Sequence, residues 1–383
     1  MSEKTSTLRT FLGSIIVTLL TLGAVFFIGG PTALTLVAIL AILEVSLSFD
    51  NAVMNATILT RMSKFWQKIF LTVGILIAVF GMRMIFPILL VSVTTDMSMI
   101  SAFNLALNEP EKYQHALEVA HPAIAAFGGV FLLMIVLGFM FESRDLKWIP
   151  IESKLASFGE SFNGKFGPIN TALEKVGVDI LSCIITSLSI VACAYTLAPV
   201  PGTVLTAGFV GLATYLVVNG LGVFFESRGE NEDSAVSGGI SGGAEAHKSS
   251  SATAVVGKAA LFLFLYLEVL DASFSFDGVV GAFAISSNIF IIAAGLGIGA
   301  MYIRSITVYL VNQGTLAEYE YLEHGAHWAI GTLAVILLLS IKLHVPEIVT
   351  GMTGVGFIAL AWISSMIRNR HKARGAVPAI MTQ

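Results

Sequence analysis

The chain has 383 residues, of which 56% are hydrophobic and 12% charged, with a formal net charge of −4. A soluble domain carries about 25% charged residues, so this composition excludes an ordinary cytosolic enzyme, a disordered chain and a nucleic-acid binder. The class that remains is a polytopic membrane protein, in keeping with a mean hydropathy of +0.86.

One bilayer crossing needs about 20 mostly apolar residues. Ten stretches qualify: 11–29, 33–59, 69–93, 118–141, 178–198, 203–225, 259–285, 289–311, 325–342 and 346–367. The first is long enough to span and lacks the short apolar core and small-residue site of a cleavable signal. Strand alternation is absent, so the predicted fold is an all-α polytopic bundle of about ten transmembrane helices. With the N-terminus in the cytoplasm, 17 of the 21 Lys and Arg fall on the cytoplasmic side. Only Lys112 and Lys342 fall outside, and Arg83 and Arg304 lie within spans. That bias follows the positive-inside rule and predicts both termini in the cytoplasm of an integral plasma-membrane protein. The topology is least secured at loop 312–324, which carries Glu318, Glu320 and Glu323 but no positive charge.

Two cytoplasmic connections stand out. Residues 142–177 contain LASFGESF and INTALEKV, which predict short amphipathic helices at the membrane surface. Residues 229–256 are rich in Gly and Ser and read as a flexible linker. The chain then divides into a first half (1–198), span six (199–228), this linker, and the rest of the second half with a basic tail (257–383). Cys183 and Cys193 lie ten residues apart in one apolar run. Helical rise separates them by roughly 15 Å, so they read as apolar filler.

The halves repeat. Ser46–Asn51 reads SLSFDN and Ser273–Gly278 reads SFSFDG. Six residues before each Asp sits an acid: Glu44 before Asp50, and Asp271 before Asp277. The next span of each half carries one Arg, Arg83 and then Arg304. The span after that carries AHPAI at 120–124 or AHWAI at 326–330, each with a Tyr eight residues before its His. Five spans separate each element from its partner. Five is odd, so the halves insert in opposite senses, an inverted-repeat architecture that places a site at the midplane.

Spans two, three, seven and eight hold seven ionisable groups: Glu44, Asp50, Arg83, Glu268, Asp271, Asp277 and Arg304. Facing lipid unpaired, they would cost on the order of 20 kcal/mol together. They are expected to face the interior, with five acids against two Arg, so a cavity there favours a cation. Glu44 and Asp50 are about 240° apart on a regular helix and cannot share one ion. Ser46, Ser48, Asp50 and Asn51 in one half, and Ser273, Ser275, Asp277 and Gly278 in the other, all compete for backbone hydrogen bonds. Two broken helices at the centre are therefore predicted, with the serine hydroxyls and freed carbonyls beside the carboxylates. Glu268 and Asp271, three apart, share a face. Such oxygen donors suit hard divalent cations, Mn²⁺, Mg²⁺ or Ca²⁺, and the acids could instead carry protons. Arg83 and Arg304 read as charge-balancing groups, with a moving gate as the alternative role. His121 and His327 are candidates for a gate or proton relay, against the plainer role of polar span-end residues.

At its paired acid-x5-Asp motifs the chain resembles the TerC family of integral membrane proteins, grouped with the LysE-type exporters. The resemblance covers most of 33–141 and 259–367. It implies cation export, with manganese efflux as the leading theme, and a link to tellurite resistance and metal-stress operons. Carried over by position, it implies metal binding by Glu44, Asp50 and Asn51 in one half and by Asp271 and Asp277 in the other. This sequence departs from the pattern in having Gly278 in place of Asn, the additional Glu268, and two further spans with a long linker. No tightly bound cofactor is expected; the predicted partners are the bilayer and the transported ion, with no nucleic acid. Neither a nucleotide-binding P-loop nor a nucleophilic triad is present, so no enzyme is indicated. Two other readings stay open: export of a small organic solute such as an amino acid, and a non-transporting membrane component of a stress-response complex.

Overall fold

The computed structural model describes residues 7–237 and 257–375, apart from 78–79, 82–84, 86–87, 90, 93–94, 96, 175–176, 287 and 314–317. Among the described residues the chain is helical and has no β-strand. Six of its helices are long and apolar enough to cross a membrane.

α1 (Thr7–Leu47) is twice the length of one crossing. It bends at Gly30, whose φ of 72° suits a residue without a Cβ, directly before Pro31. The bend falls between the first two predicted spans. α1 then stops at Leu47, Ser48 leaves helical geometry (φ −102°, ψ 15°), and α2 (Phe49–Leu59) begins. The break expected in the first half is thus present. α3 (Lys64–Leu76), α4 (Met99–Asn108) and the long α5 (Pro110–Phe141) follow. The connection 142–177 folds into α6 (Pro150–Lys165) and α7 (Gly167–Glu174), the two short helices its sequence predicts. α8 (Ile180–Thr196) and α9 (Pro201–Ser237) lead to the second half. That half holds α10 (Gly257–Ile285), α11 (Ile289–Gln313), α12 (Leu322–Ser340) and α13 (Glu347–Gly375).

Two expectations are corrected. α10 runs without interruption through Ser273–Asp277, so the second half has no counterpart of the break at Ser48. A Ser hydroxyl can donate to the carbonyl of the preceding turn and leave a helix intact. Secondly, α9 continues to Ser237, so the first nine residues of the expected linker 229–256 are helical. Extending a helix that already exists requires no new nucleus, which lets weak helix formers join it. The remainder of that linker lies outside the described residues.

In a bilayer, close packing of small residues holds helices together. Ideal Cβ atoms on Gly295 and Gly299 of α11 would lie 2.5 Å from Leu40 Cβ and 2.4 Å from Glu44 Cγ of α1. Only glycine admits α1 this closely. The central α5 packs against α12 through Gly129, which faces Leu338. The largest apolar cluster joins Phe131, Leu267, Leu270, Ile330 and Leu337 from α5, α10 and α12. Phe27 and Ile28 are almost fully exposed, as lipid-facing residues would be.

Several ends meet on one side of the bundle. Arg144, just after α5, pairs with Glu323 at 3.0 Å. Glu320 pairs with Arg368 and Lys372 of the C-terminal helix at 3.1 and 2.9 Å. Loop 318–324, the 142–152 segment and the tail therefore share one end. These are the contacts the acidic loop needed, since its own sequence supplies no cation.

Candidate functional site

The break at Ser48 sets up the site. Glu44, in the last turn of α1, is buried, and Ser48 Oγ donates to Glu44 Oε1 at 3.1 Å. Glu44 passes over Gly299 and brings Oε2 to 3.0 Å from where a Cβ would stand on Gly278 of α10. Gly278, at the position that Asn51 holds in the first motif, thus leaves room for the first motif's carboxylate.

From α2, Asn51 Nδ2 donates to Asp271 Oδ1 of α10 at 2.6 Å. This bond joins the two halves. Arg304 of α11 lies beside the same acid: its Nη2 is 3.7 Å from Asp271 Oδ2 and 3.5 Å from Glu268 Oε1. Its Nη1 donates to the carbonyl of Phe70 at 3.2 Å, and its Cζ sits 3.8 Å above the centre of the Phe70 ring. Gly74, one turn on, makes the space: a Cβ there would lie 2.7 Å from Arg304 Nη1 and 2.8 Å from Glu268 Oε1. Thr307 Oγ1 lies 2.9 Å from Ile303 O in its own helix and 3.3 Å from Ala52 O of α2, so its one proton is shared between the two helices. All of these polar side chains are buried. Among the described residues, Glu268 Oε2 and Asp271 Oδ2 accept no hydrogen bond, and neither polar atom of the fully buried Asn55 has a hydrogen-bond partner. Buried polar atoms are nearly always satisfied, so these unpaired ones set the cluster apart from an ordinary packed core.

The structure therefore brings together Glu268, Asp271, Asn51 and Arg304, with Glu44 and Ser48 reaching Gly278 alongside. The side chains of Asp50, Asp277, Ser46, Ser273 and Ser275, and the whole of Arg83, lie outside the described residues. Among the described residues, no three His, Cys, Asp or Glu are grouped as a metal-binding set. The histidines lie elsewhere. His327 stacks on Phe139 with ring centres 3.6 Å apart, and its Nδ1 is 2.8 Å from Glu323 O. His121 lies on α5, half-buried.

A second polar cluster escaped the sequence. Glu152, at the start of α6, is buried. It accepts from the Trp148 N–H (2.8 Å), from Trp328 Nε1 (2.8 Å) and pairs with His324 Nδ1 (2.9 Å). Burial pushes its carboxyl up, but the His324, Trp148 and Trp328 hydrogen bonds outweigh that and hold it below the usual carboxylate range. Asn163 and Asn170 likewise accept from the N–H groups of Leu181 and Ile180, fixing α6 and α7 onto the start of α8. A Glu in the first turn after Pro150 was the available signal, as part of a capping arrangement. Its partners on α12 are 172 and 176 residues away, beyond any local pattern.

At this end an open cavity of about 850 Å³ is lined by Arg61, Arg144, Glu160, Asp179 and Glu323 among others. It reaches α2 at Met54, Thr57 and Ile58, on the helix that also carries Asn51 and Asn55.

These features define a helical membrane protein with a buried acid–arginine cluster at the contact between its halves. The chain belongs to the DUF475 family, described as a protein of unknown function, whose model matches residues 49–372. The match begins at the first residue of α2, so Glu44 precedes it. No curated protein and no solved structure matches the chain.

Proposed function

We propose that this protein is a membrane transporter that exports a divalent metal cation through the buried cluster of Glu44, Asn51, Glu268 and Asp271. Asp50 and Asp277 complete the acidic set in this reading. The observation that carries it is the meeting of Asn51 from one half with Asp271, Glu268 and Arg304 from the other, in a pocket of carboxylate and amide oxygens that lacks full hydrogen bonding. Glu44, Glu268 and Asp271 outnumber Arg304, so the cluster carries an excess of negative charge that favours a cation. Hard oxygen donors suit Mn²⁺, with Mg²⁺ and Ca²⁺ as competitors, and exchange for protons is part of the proposal. The likeness to TerC proteins supports manganese and a role in metal or tellurite stress.

The same reading arranges about ten crossings as an inverted repeat in a bacterial inner membrane, both termini cytoplasmic. Packing supports it. α2 lies against α12 as α10 lies against α5, and α5 meets α8 as α12 meets α13. The N-terminal part of α1 departs from the symmetry: it lies along α11, with Ser14 Oγ 2.6 Å from Ser305 Oγ. The cavity at the end shared by 142–152, 318–324 and the tail is then the cytoplasmic approach to the site. An organic-solute exporter would need Arg83 or Arg304 for the solute's carboxylate, and the excess of acid over base at the cluster disfavours that reading.

The test is Mn²⁺ flux from proteoliposomes containing wild type, Asp271→Asn or Asp50→Asn. Metal-dependent flux that both substitutions abolish supports the proposal. Wild-type protein that is folded in the membrane but moves no Mn²⁺, Mg²⁺ or Ca²⁺ overturns it.

A further inference from the structure

Arg304 holds the acid pair in an unusual way. Charge-assisted N–H···O⁻ bonds run about 2.7–2.9 Å, and a guanidinium usually meets carboxylates with two parallel bonds. Here a single nitrogen, Nη2, lies 3.5 Å from Glu268 Oε1 and 3.7 Å from Asp271 Oδ2. The firmer contacts are to Phe70, whose carbonyl is 3.2 Å from Nη1 and whose ring centre lies 3.8 Å from Cζ. Among the described residues, Glu268 Oε2 and Asp271 Oδ2 accept no hydrogen bond, and Asn55, one turn beyond Asn51 on α2, has both polar atoms unmatched. The acids keep their lone pairs while a cation stands loosely between them. An ordinary structural ion pair would use those lone pairs.

We infer that Arg304 is a resident cation that competes with the cargo: it sits on Glu268 and Asp271 when no ion is bound and gives them up when one binds. This rests on the cation-transport reading and names how that site is regulated. A divalent ion coordinates carboxylate oxygens at about 2.0–2.6 Å, so it would take the gap that Nη2 now fills. The guanidinium cannot share that gap, and it cannot leave by losing its proton, because it stays charged at all physiological pH. It must therefore move, and the Phe70 ring, 3.8 Å from its Cζ, offers the face that keeps it anchored. Its return helps to expel the ion. Arg304 is thus a positioning and release residue, and binding strength is given up for turnover.

The experiment measures Mn²⁺ binding and flux side by side, using the full-length chain. Bound Mn²⁺ is read by electron paramagnetic resonance and by the Mn²⁺-induced rise in melting temperature. Flux is read in proteoliposomes. The variants are Arg304→Gln, Arg304→Lys and Asp271→Asn. Arg304→Gln is expected to bind Mn²⁺ at least tenfold more tightly than wild type, with a larger Mn²⁺-induced thermal shift and at least tenfold slower flux. Arg304→Lys, which keeps the charge and guards against a misfolded Gln variant, is expected to fall between the two. Asp271→Asn should lose binding. Equal or weaker Mn²⁺ binding by both Arg304 variants, with wild type binding normally, overturns the resident-cation inference and leaves the transport proposal standing. No Mn²⁺ binding or flux by any form, wild type included, overturns the transport proposal itself.

Discussion

Gly299→Ala tests the closest approach in the fold. The new methyl carbon would lie 2.4 Å from Glu44 Cγ, 2.5 Å from Glu44 Cβ and 3.1 Å from the carbonyl oxygen of Ala41. Rotation of a flexible side-chain end cannot relieve this, because a backbone oxygen and a Cβ are among the atoms struck. α1 and α11 must separate, and such overpacking costs about 1–3 kcal/mol. Ala also gains about 0.8–1 kcal/mol over Gly in a helix interior, which would mask part of that cost. Gly13→Ala supplies the control, since Gly13 is also helical and a Cβ there meets nothing within 4 Å. The propensity gain is common to both, so the difference between the variants isolates the packing term of about 1–3 kcal/mol. Thermal unfolding of the detergent-solubilised protein should place Gly299→Ala well below Gly13→Ala. Mn²⁺ flux should fall as well, because Glu44 is pushed off its position over Gly278. If the two variants melt together, the contact between α1 and α11 is not the one described.

Asn55→Leu should be neutral or stabilising in a thermal melt, because it removes two unmatched buried polar atoms at similar volume. The same change should reduce Mn²⁺ flux, and equal loss of stability and flux would count against a place for Asn55 at the site. Trp328→Phe deletes one donor to the Glu152 carboxylate and should cost about 1.5–3 kcal/mol, measured by thermal unfolding at neutral pH. The Glu152 carboxyl lies below its ordinary range, so its contribution is fully present above the unfolded value of about 4.3 and is lost as pH falls through the depressed folded value. Wild-type stability should therefore fall on acidification below about pH 4, less steeply in Glu152→Gln, and hydrogen exchange at α6 should rise over the same interval. Parallel acid profiles for the two proteins would refute this.

What the sequence exposed was whatever is local or costly. Apolar length revealed the spans, since a crossing of about 20 residues leaves a mark that no partner is needed to read. Charge in those spans revealed Glu268, Asp271 and Arg304, because buried charges must find one another. The crowding of Ser46–Asn51 predicted the interruption that occurs at Ser48. The same argument failed for Ser273–Gly278: composition says that a helix can break, while the surrounding packing decides whether it does. Hidden from sequence were the matched spaces. Gly74 and Gly299 look like any other glycine until a carboxylate and a guanidinium from distant helices are found against them. Glu152 was hidden for a related reason, as its partners come from the opposite half of the chain.

The bond between Asn51 and Asp271 has a mechanical consequence. At 2.6 Å it has about 1 Å of travel before it passes the range of a hydrogen bond. It works as a clasp across the seam. The two halves can breathe within that slack, but any larger slide must unfasten it together with the Arg304–Phe70, Ser14–Ser305 and Glu152–His324 contacts that also join them.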